Sequence, residues 1–234
     1  MRFQVLACDY DRTIALSGVV AEPARRALRD VRASGRRLVL VTGRTDEELR
    51  AVFDELDLFS RVVLENGGVL LDPASGEERL LGARFPQDLS RALQQREVAP
   101  LVLGRVICST AAPNEAMVLE AIVELGLRMQ LVLNRDSVMV LPPGVDKASG
   151  LRAALAAIGC DAAATVAVGD GENDLALLAA AGAGVAVENA VDELKEKADI
   201  VLDAPGIEGI RLLCDSLVGS DLADLLGPAV SRAG

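Results

Sequence analysis

Short apolar runs that stop at charged turns alternate along this chain with stretches of helical periodicity. Phe3 to Cys8 and Leu38 to Val41 are such runs, the pattern of strands buried on both faces of a parallel sheet. Between them Glu22 to Ser34 places Ala24, Ala27, Leu28 and Val31 at helical spacing before Gly35, which predicts a strand, helix, strand unit. A second helix is expected over Asp46 to Leu56 with Thr45 as N-cap, then a strand at Val62 to Leu64 and a hairpin through Asp72 to Gly76.

The rhythm changes at Phe85. Gln87 to Arg96 predicts a polar helix, Val102 to Cys108 a strand, Asn114 to Leu125 a helix opened by Pro113, and Leu131 to Leu133 and Val138 to Leu141 two strands. Pro142, Pro143 and Gly144 break the pattern. The first rhythm then resumes, with helices at Ala148 to Ile158, Leu175 to Ala181 and Val191 to Ala198 alternating with strands at Thr165 to Val168, Val185 to Val187 and Ile200 to Leu202. The expected fold is α/β, a parallel-sheet core of residues 1–83 and 144–234 interrupted once by a small α/β domain at 84–143. Linkers are expected near Gly82 to Pro86 and Pro142 to Asp146, and a loose tail over Ser220 to Gly234.

Composition narrows the chemistry. At 234 residues the chain exceeds the usual single domain of roughly 100 to 200 residues, which suits an insertion. The longest apolar stretch, Leu175 to Val187, is broken by glycines and too short to span a bilayer, and Arg2 with six largely apolar residues before Asp9 makes no secretory signal; a cytoplasmic protein is expected. A net charge of -11 argues against nucleic acid or an anionic membrane as partner. The absence of histidine removes serine-histidine and cysteine-histidine pairs and imidazole zinc sites, leaving carboxylates, lysine, cysteine or a hard metal ion. Cys8, Cys108, Cys160 and Cys214 are widely spaced and read as small buried apolar residues.

Four segments carry candidate chemistry, each at the end of an expected strand or at the domain junction. Asp9-Tyr10-Asp11-Arg12-Thr13 presents two aspartates able to take separate roles, one as attacking group or metal ligand and one as proton carrier; an acidic turn is the plainer alternative. Thr42-Gly43-Arg44 suits a phosphate oxygen, or is simply a tight strand-to-helix turn. Lys147 stands out because the chain has three lysines against twenty-one arginines, and the other two, Lys195 and Lys197, lie on a charged helix face. Gly169-Asp170-Gly171-Glu172-Asn173-Asp174 crowds three acids into a turn that needs a neutralising cation, and oxygen donors favour a hard ion such as Mg2+. The alternative there is the acidic first turn of a helix.

Taken together these residues resemble the haloacid dehalogenase-like hydrolases. Asp9, Asp11 and Thr13 match the first motif, Thr42 the second, Lys147 the third, and Gly169-Asp170 with Asn173-Asp174 the fourth. The run Ala181 to Ala190, followed by Lys195 and Ala198-Asp199, is similar to the Cof-like sugar-phosphatase branch, whose cap lies between the second and third motifs. The small insertion is most similar to those of archaeal-type phosphoglycolate phosphatases and the related sucrose-phosphate and mannosyl-phosphoglycerate phosphatases. The resemblance implies a Rossmann-like core with a cap, and Mg2+-dependent hydrolysis of a small phosphorylated metabolite through an aspartyl phosphate, in a monomer or homodimer. It implies Asp9 as nucleophile and Asp11 as acid and base. The metal set it implies is Asp9, Asp11 through its backbone carbonyl, Asp170 and Asp174; the phosphate set is Thr42, Gly43, Lys147 and Asn173. Two features depart from the pattern, Arg12 where a glycine is usual and Glu188 where one is common.

Substrate choice is then expected in the cap and at the rim, with Arg44, Arg105, Asn134 and Arg135 as candidates. An ordinary solvated turn at Asn134-Arg135-Asp136 is the alternative. A phosphomutase would use the same catalytic residues but retain the phosphate. A response-regulator receiver also gathers carboxylates, a threonine and a lysine, but lacks so long an insertion.

Overall fold

The computed structural model describes residues 1–226; residues 227–234, the larger part of the expected tail, lie outside the described residues. From the amino terminus the chain forms β1 (Val5–Cys8), α1 (Glu22–Ala33), β2 (Arg37–Val41), α2 (Asp46–Arg50), β3 (Arg61–Leu64), β4 (Val69–Leu71) and β5 (Glu78–Leu80). The insertion holds α3 (Gln87–Gln95), β6 (Leu101–Leu103), β7 (Cys108–Ala111), α4 (Glu115–Glu124), β8 (Gln130–Asn134) and β9 (Ser137–Leu141). Then come α5 (Lys147–Ile158), β10 (Thr165–Gly169), α6 (Leu175–Ala179), β11 (Ala183–Ala186), α7 (Asp192–Lys197), β12 (Ile200–Val201), α8 (Gly206–Ser220) and α9 (Ala223–Leu226).

One sheet runs in the order β12-β11-β10-β1-β2-β3-β4-β5. Its strands from β12 to β3 are parallel, and β4 and β5 close that edge as antiparallel hairpins. From central β1 the chain winds outward through β2 in one direction and from β10 through β11 in the other, so right-handed crossovers put α1 and α6 on opposite faces. α1 packs with α8, and α5 packs with α6. The strand order reverses at β1, and beyond the carboxyl ends of its neighbours lies the crevice where such sheets bind ligands.

The insertion forms a separate antiparallel sheet, β6-β7-β9-β8. Alternate residues of β9 divide between two cores: Val138 and Val140 pack with Leu89, Leu93, Val118 and Ile122 of α3 and α4, while Met139 and Leu141 join the main core. A sheet with both faces covered reads as unbroken apolar sequence, and this misleads at one point. The strand expected over Val102 to Cys108 is two strands, with Leu103 opposite Cys108 and a turn at residues 104–107 between them. Gly104 permits the reversal and donates its N–H to Ile107 O at 2.9 Å.

Two more expectations change. The helix over Asp46 to Leu56 ends at Arg50, because the chain leaves it to pair Asp54 with Arg25 and Glu55 with Arg29, and a 3-10 turn follows at Leu56–Leu58. Residues 220–226 are regular rather than loose: α8 runs to Ser220, its Ile210, Leu213, Cys214 and Leu217 buried, and after a turn at Asp221 and Leu222 α9 follows. The cysteines are all free, three buried and Cys160 half-buried. Among the described residues no helix is long and apolar enough to cross a membrane.

Candidate active site

Hydrogen bonding carries the central sheet one residue past β1: Asp9 N–H donates to Val168 O at 2.9 Å, leaving the Asp9 side chain at the rim, only 5% exposed. On one side β10 ends in the acidic loop. Asp174 Oδ2 accepts from the backbone N–H of Asp170 and of Gly171, each at 3.0 Å, so the loop folds around its own last carboxylate. Gly169 has to be glycine for this, since a Cβ there would stand 2.4 Å from Asp174 Cγ. From below comes Lys147, first residue of α5, whose helix start is fixed by Asp146 accepting from Ser149 N–H. Buried at 1% exposure, its Nζ donates to Asp9 Oδ1 at 2.7 Å and to Asp174 Oδ1 at 2.6 Å.

Asp9, Asp170 and Asp174 each offer an oxygen within 4.8 Å of the others. Burial pushes the Asp9 carboxyl up to about 8, Lys147 opposing the shift and Asp174 and Asp170 adding to it. Burial raises Asp170 as well, against the pull of Arg135. For Lys147, burial works against the ammonium, but Asp174 and Asp9 overcome it and hold the group above its ordinary value. The donor set is all oxygen, hard and negative in excess of the one lysine it encloses, a set that fits a hard divalent cation.

Asp11 points elsewhere. Its carboxylate takes a two-pronged ion pair from Arg44, Nε to Oδ2 and Nη2 to Oδ1, both 2.7 Å, so its side chain is not one of the clustered carboxylates. Thr42 lies at the end of β2, buried, with Oγ1 accepting from Arg44 N–H at 3.2 Å. Asn173 Nδ2 donates to Asn66 Oδ1 at 3.0 Å. A cavity of about 380 Å³ opens above, its floor made by Asp9, Asp11, Thr42, Gly43 and Asn173. Its roof comes from the inserted sheet, through Ser109, Asn134, Ser137 and Met139. Three buried polar atoms around it, Asn134 Oδ1, Arg135 Nε and Asn173 Oδ1, have no hydrogen-bond partner among the described residues.

The arginine candidates separate. Arg135, at φ 54 in the turn between β8 and β9, reaches down to the main sheet: its Nη2 donates to Asp170 Oδ2 at 2.8 Å and to Asn189 O at 3.1 Å, and its N–H to Glu172 Oε2 at 3.1 Å. The turn is therefore bridged to the core rather than solvated. Arg12 stands beside it, Nε 3.6 Å from the same Asp170 oxygen. Arg105 is a correction: it lies in the turn at 104–107, outside the cavity, and pairs with Glu78 of β5. Sequence reasoning missed Ser109, Ser137 and Met139, whose inward placement depends on strand register, and Glu48, Glu65 and Asn66. Of these, only the Glu-Asn-Gly-Gly stretch at 65–68 carried a signal, as a turn.

An open parallel sheet thus gathers carboxylates, a lysine and a threonine at its switch point, roofed by an inserted sheet. Residues 6–95 and 129–211 match the haloacid dehalogenase-like hydrolases, and the chain belongs to that family. It is 32% identical over 203 residues to a phosphoglycolate phosphatase of Methanopyrus kandleri, covering 82% of this chain and 87% of that one. With phosphoglycolate phosphatase 2 of Saccharolobus solfataricus it shares 28% identity over 231 residues, 93% of each chain. Among solved structures, a haloacid dehalogenase-like hydrolase from Bacteroides thetaiotaomicron superposes with a TM-score of 0.74 at 21% identity, over 92% of this chain and 99% of that one, and shares the fold.

Proposed function

We propose that the protein is a Mg2+-dependent phosphomonoesterase that hydrolyses a small phosphorylated metabolite through an aspartyl phosphate on Asp9. The observation that carries this reading is Lys147 bridging Asp9 and Asp174 inside a three-carboxylate cluster, directly beneath a cavity of about 380 Å³. A phosphoryl group brings negative charge to a carboxylate, so cationic charge has to be stationed beside the attacking atom.

Asp9 attacks in line, forming an O–P bond as the ester P–O bond breaks. Asp11 protonates the departing alkoxide, then removes a proton from the water whose oxygen displaces Asp9 and releases inorganic phosphate. Arg44 holds the Asp11 carboxylate and sets its approach. Thr42, the Gly43 amide, Lys147 and Asn173 hold the transferring oxygens. The ion would be held by Asp9, Asp170 and Asp174 with the backbone carbonyl of Asp11, and when bound it supplies charge compensation to the phosphoryl oxygens.

Residues 84–143 serve as the cap that closes the cavity and excludes bulk water. Three arginines at the rim, Arg12, Arg44 and Arg135, favour an ester whose leaving group carries a second anion, such as phosphoglycolate. The relatives that carry that name support the choice. The test is a set of phosphate esters offered with Mg2+ while released inorganic phosphate is read. Turnover on phosphoglycolate above a neutral sugar phosphate is expected; no release from any small ester, or phosphate retained on the product, overturns the reading.

A further inference from the structure

Glu65 is a buried acid for which the reaction has no use. It is 3% exposed, and no lysine or arginine forms an ion pair with it among the described residues. Its carboxylate instead accepts three backbone N–H groups from the turn between β6 and β7: Arg105 at 3.0 Å on Oε1, and Val106 at 2.7 Å and Ile107 at 3.1 Å on Oε2. Charge-assisted bonds in parallel are strong and directional. The turn is fitted to this acceptor, for a Cβ on Gly104 would stand 2.6 Å from Glu65 Cδ. Val106, fully buried, is wedged against Gly68 of the core and Gly82 of the first linker, where added Cβ atoms would meet its side chain at 2.7 and 3.1 Å.

The same segment reaches the phosphate side of the site. Glu65, Asn66 and Gly67 take φ values of 53, 54 and 107, a left-handed run that only surrounding contacts maintain. Glu65 N–H donates to Arg44 O and Asn66 N–H to Thr42 O, both at 2.9 Å. Asn66 Oδ1 accepts from Asn173 Nδ2. One side chain thus grips the cap, while the adjoining backbone and the next side chain hold Thr42, Arg44 and Asn173.

We propose that Glu65 is a positioning residue that pins the cap turn and, through Asn66, sets the phosphate-holding groups Thr42 and Asn173. This rests on the function proposed above, and the test separates the two. Glu65→Gln and Gly104→Ala attack the contact from opposite sides, and both are compared with the double variant in the full chain with Mg2+, well below melting. Three quantities are read: amide exchange at Val106 and Ile107, the Kd for inorganic phosphate, and kcat and KM on phosphoglycolate. Each single variant is expected to speed exchange, weaken phosphate binding about fivefold and lower kcat/KM about thirtyfold with part of the loss in kcat. The double variant should be no worse than the worse single, because both remove one contact. Faster exchange with phosphate affinity and kcat intact would make Glu65 mere adhesive between domains and overturn the proposal, as would additive losses. If one variant fails to fold, the other carries the same three readouts. Should wild type hydrolyse no ester, the function proposed above fails, while phosphate affinity still reads the role of Glu65.

Discussion

The two ends of the parallel strands handle charge in opposite ways. At the amino end, Arg36 is buried but fully met: Nη2 donates to Asp221 at 2.9 Å, Nη1 to Ser34 Oγ at 2.9 Å and Nε to Phe3 O at 3.1 Å. Asp221 also accepts from the N–H groups of Arg2 and Phe3, tying the first residues to the end of α8, and Arg61 pairs with Asp72 at 3.0 Å. At the carboxyl end three carboxylates crowd around one lysine, and Arg12 and Arg135 lean on a single Asp170 oxygen. Charge at the amino end closes the fold. Charge at the carboxyl end is crowded and buried beside the cavity, where burial pushes Asp9 and Asp170 above the usual carboxylate range, the pattern expected of a binding site that gives up stability.

The sharpest way to break this contrast is Asp9→Asn. Turnover is expected to fall at least a thousandfold or so, since the attacking oxygen is gone. The metal-free variant should melt no lower than wild type, because a carboxyl that burial pushes up to about 8 has been replaced by a neutral amide that can still accept from Lys147. Asp11→Asn should slow turnover by about a hundredfold or more while inorganic phosphate still binds. Surviving activity in Asp9→Asn, read by phosphate release, would move the nucleophile elsewhere.

Next in size is the response to metal. If the carboxyl end is charge-frustrated, Mg2+ at about a hundred times its Kd should stabilise by about 2.7 kcal/mol, some 5–10 °C in a chain this long. Asp170→Asn and Asp174→Asn should lose that shift and Asp221→Asn keep it. A melting curve unmoved by millimolar Mg2+ would erase the difference between the two ends.

The amino end gives a smaller, pH-dependent signal. Burial works against the Asp221 carboxylate, but Arg36 and the amides of Arg2 and Phe3 outweigh it, so its folded pKa lies below the unfolded value. A depressed acid contributes stability above its unfolded pKa and loses it as pH falls through the folded one. Asp221→Asn should therefore cost about 1–2 kcal/mol at pH 7 and less at pH 3, followed by thermal melting. An equal cost at both pH values would mean that shape, not charge, closes this end.

What the sequence disclosed follows from distance along the chain. Buried parallel strands are written as apolar runs, and a site at their ends appears wherever a run meets polar residues, so Asp9, Thr42 and Asp170 were legible one strand at a time. Thr45 and its capping box lie within four residues and were equally plain. Glu65 was opaque because its partners are about forty residues away, in a turn that was itself hidden inside an apolar run. Arg135 was visible as a turn residue, while its destination at Asp170 depends on how the second sheet docks. α8 is a different case: Ile210, Leu213, Cys214 and Leu217 stand at helical spacing, a local signal masked by the interspersed Gly206, Gly209 and Gly219.

The smallest effect tests Arg12, the one residue whose sequence departure and backbone geometry coincide. It sits at φ 63, its N–H donating to Ala15 O at 2.7 Å and its carbonyl accepting from Asn189 Nδ2 at 3.0 Å, so the left-handed backbone is held from both sides. An arginine there costs about 1 kcal/mol that a glycine does not, and the glycine returns roughly half of it in chain entropy. Arg12→Gly should thus raise the melting temperature by no more than about 2 °C. It should also strip one cation from the cavity rim, lowering kcat/KM on phosphoglycolate a few-fold more than on a neutral sugar phosphate. Arg12 would then belong to the carboxyl-end logic, a strained residue kept for binding. A drop of several degrees with no change in substrate preference would instead place it with Arg36, as a charge that holds the fold together.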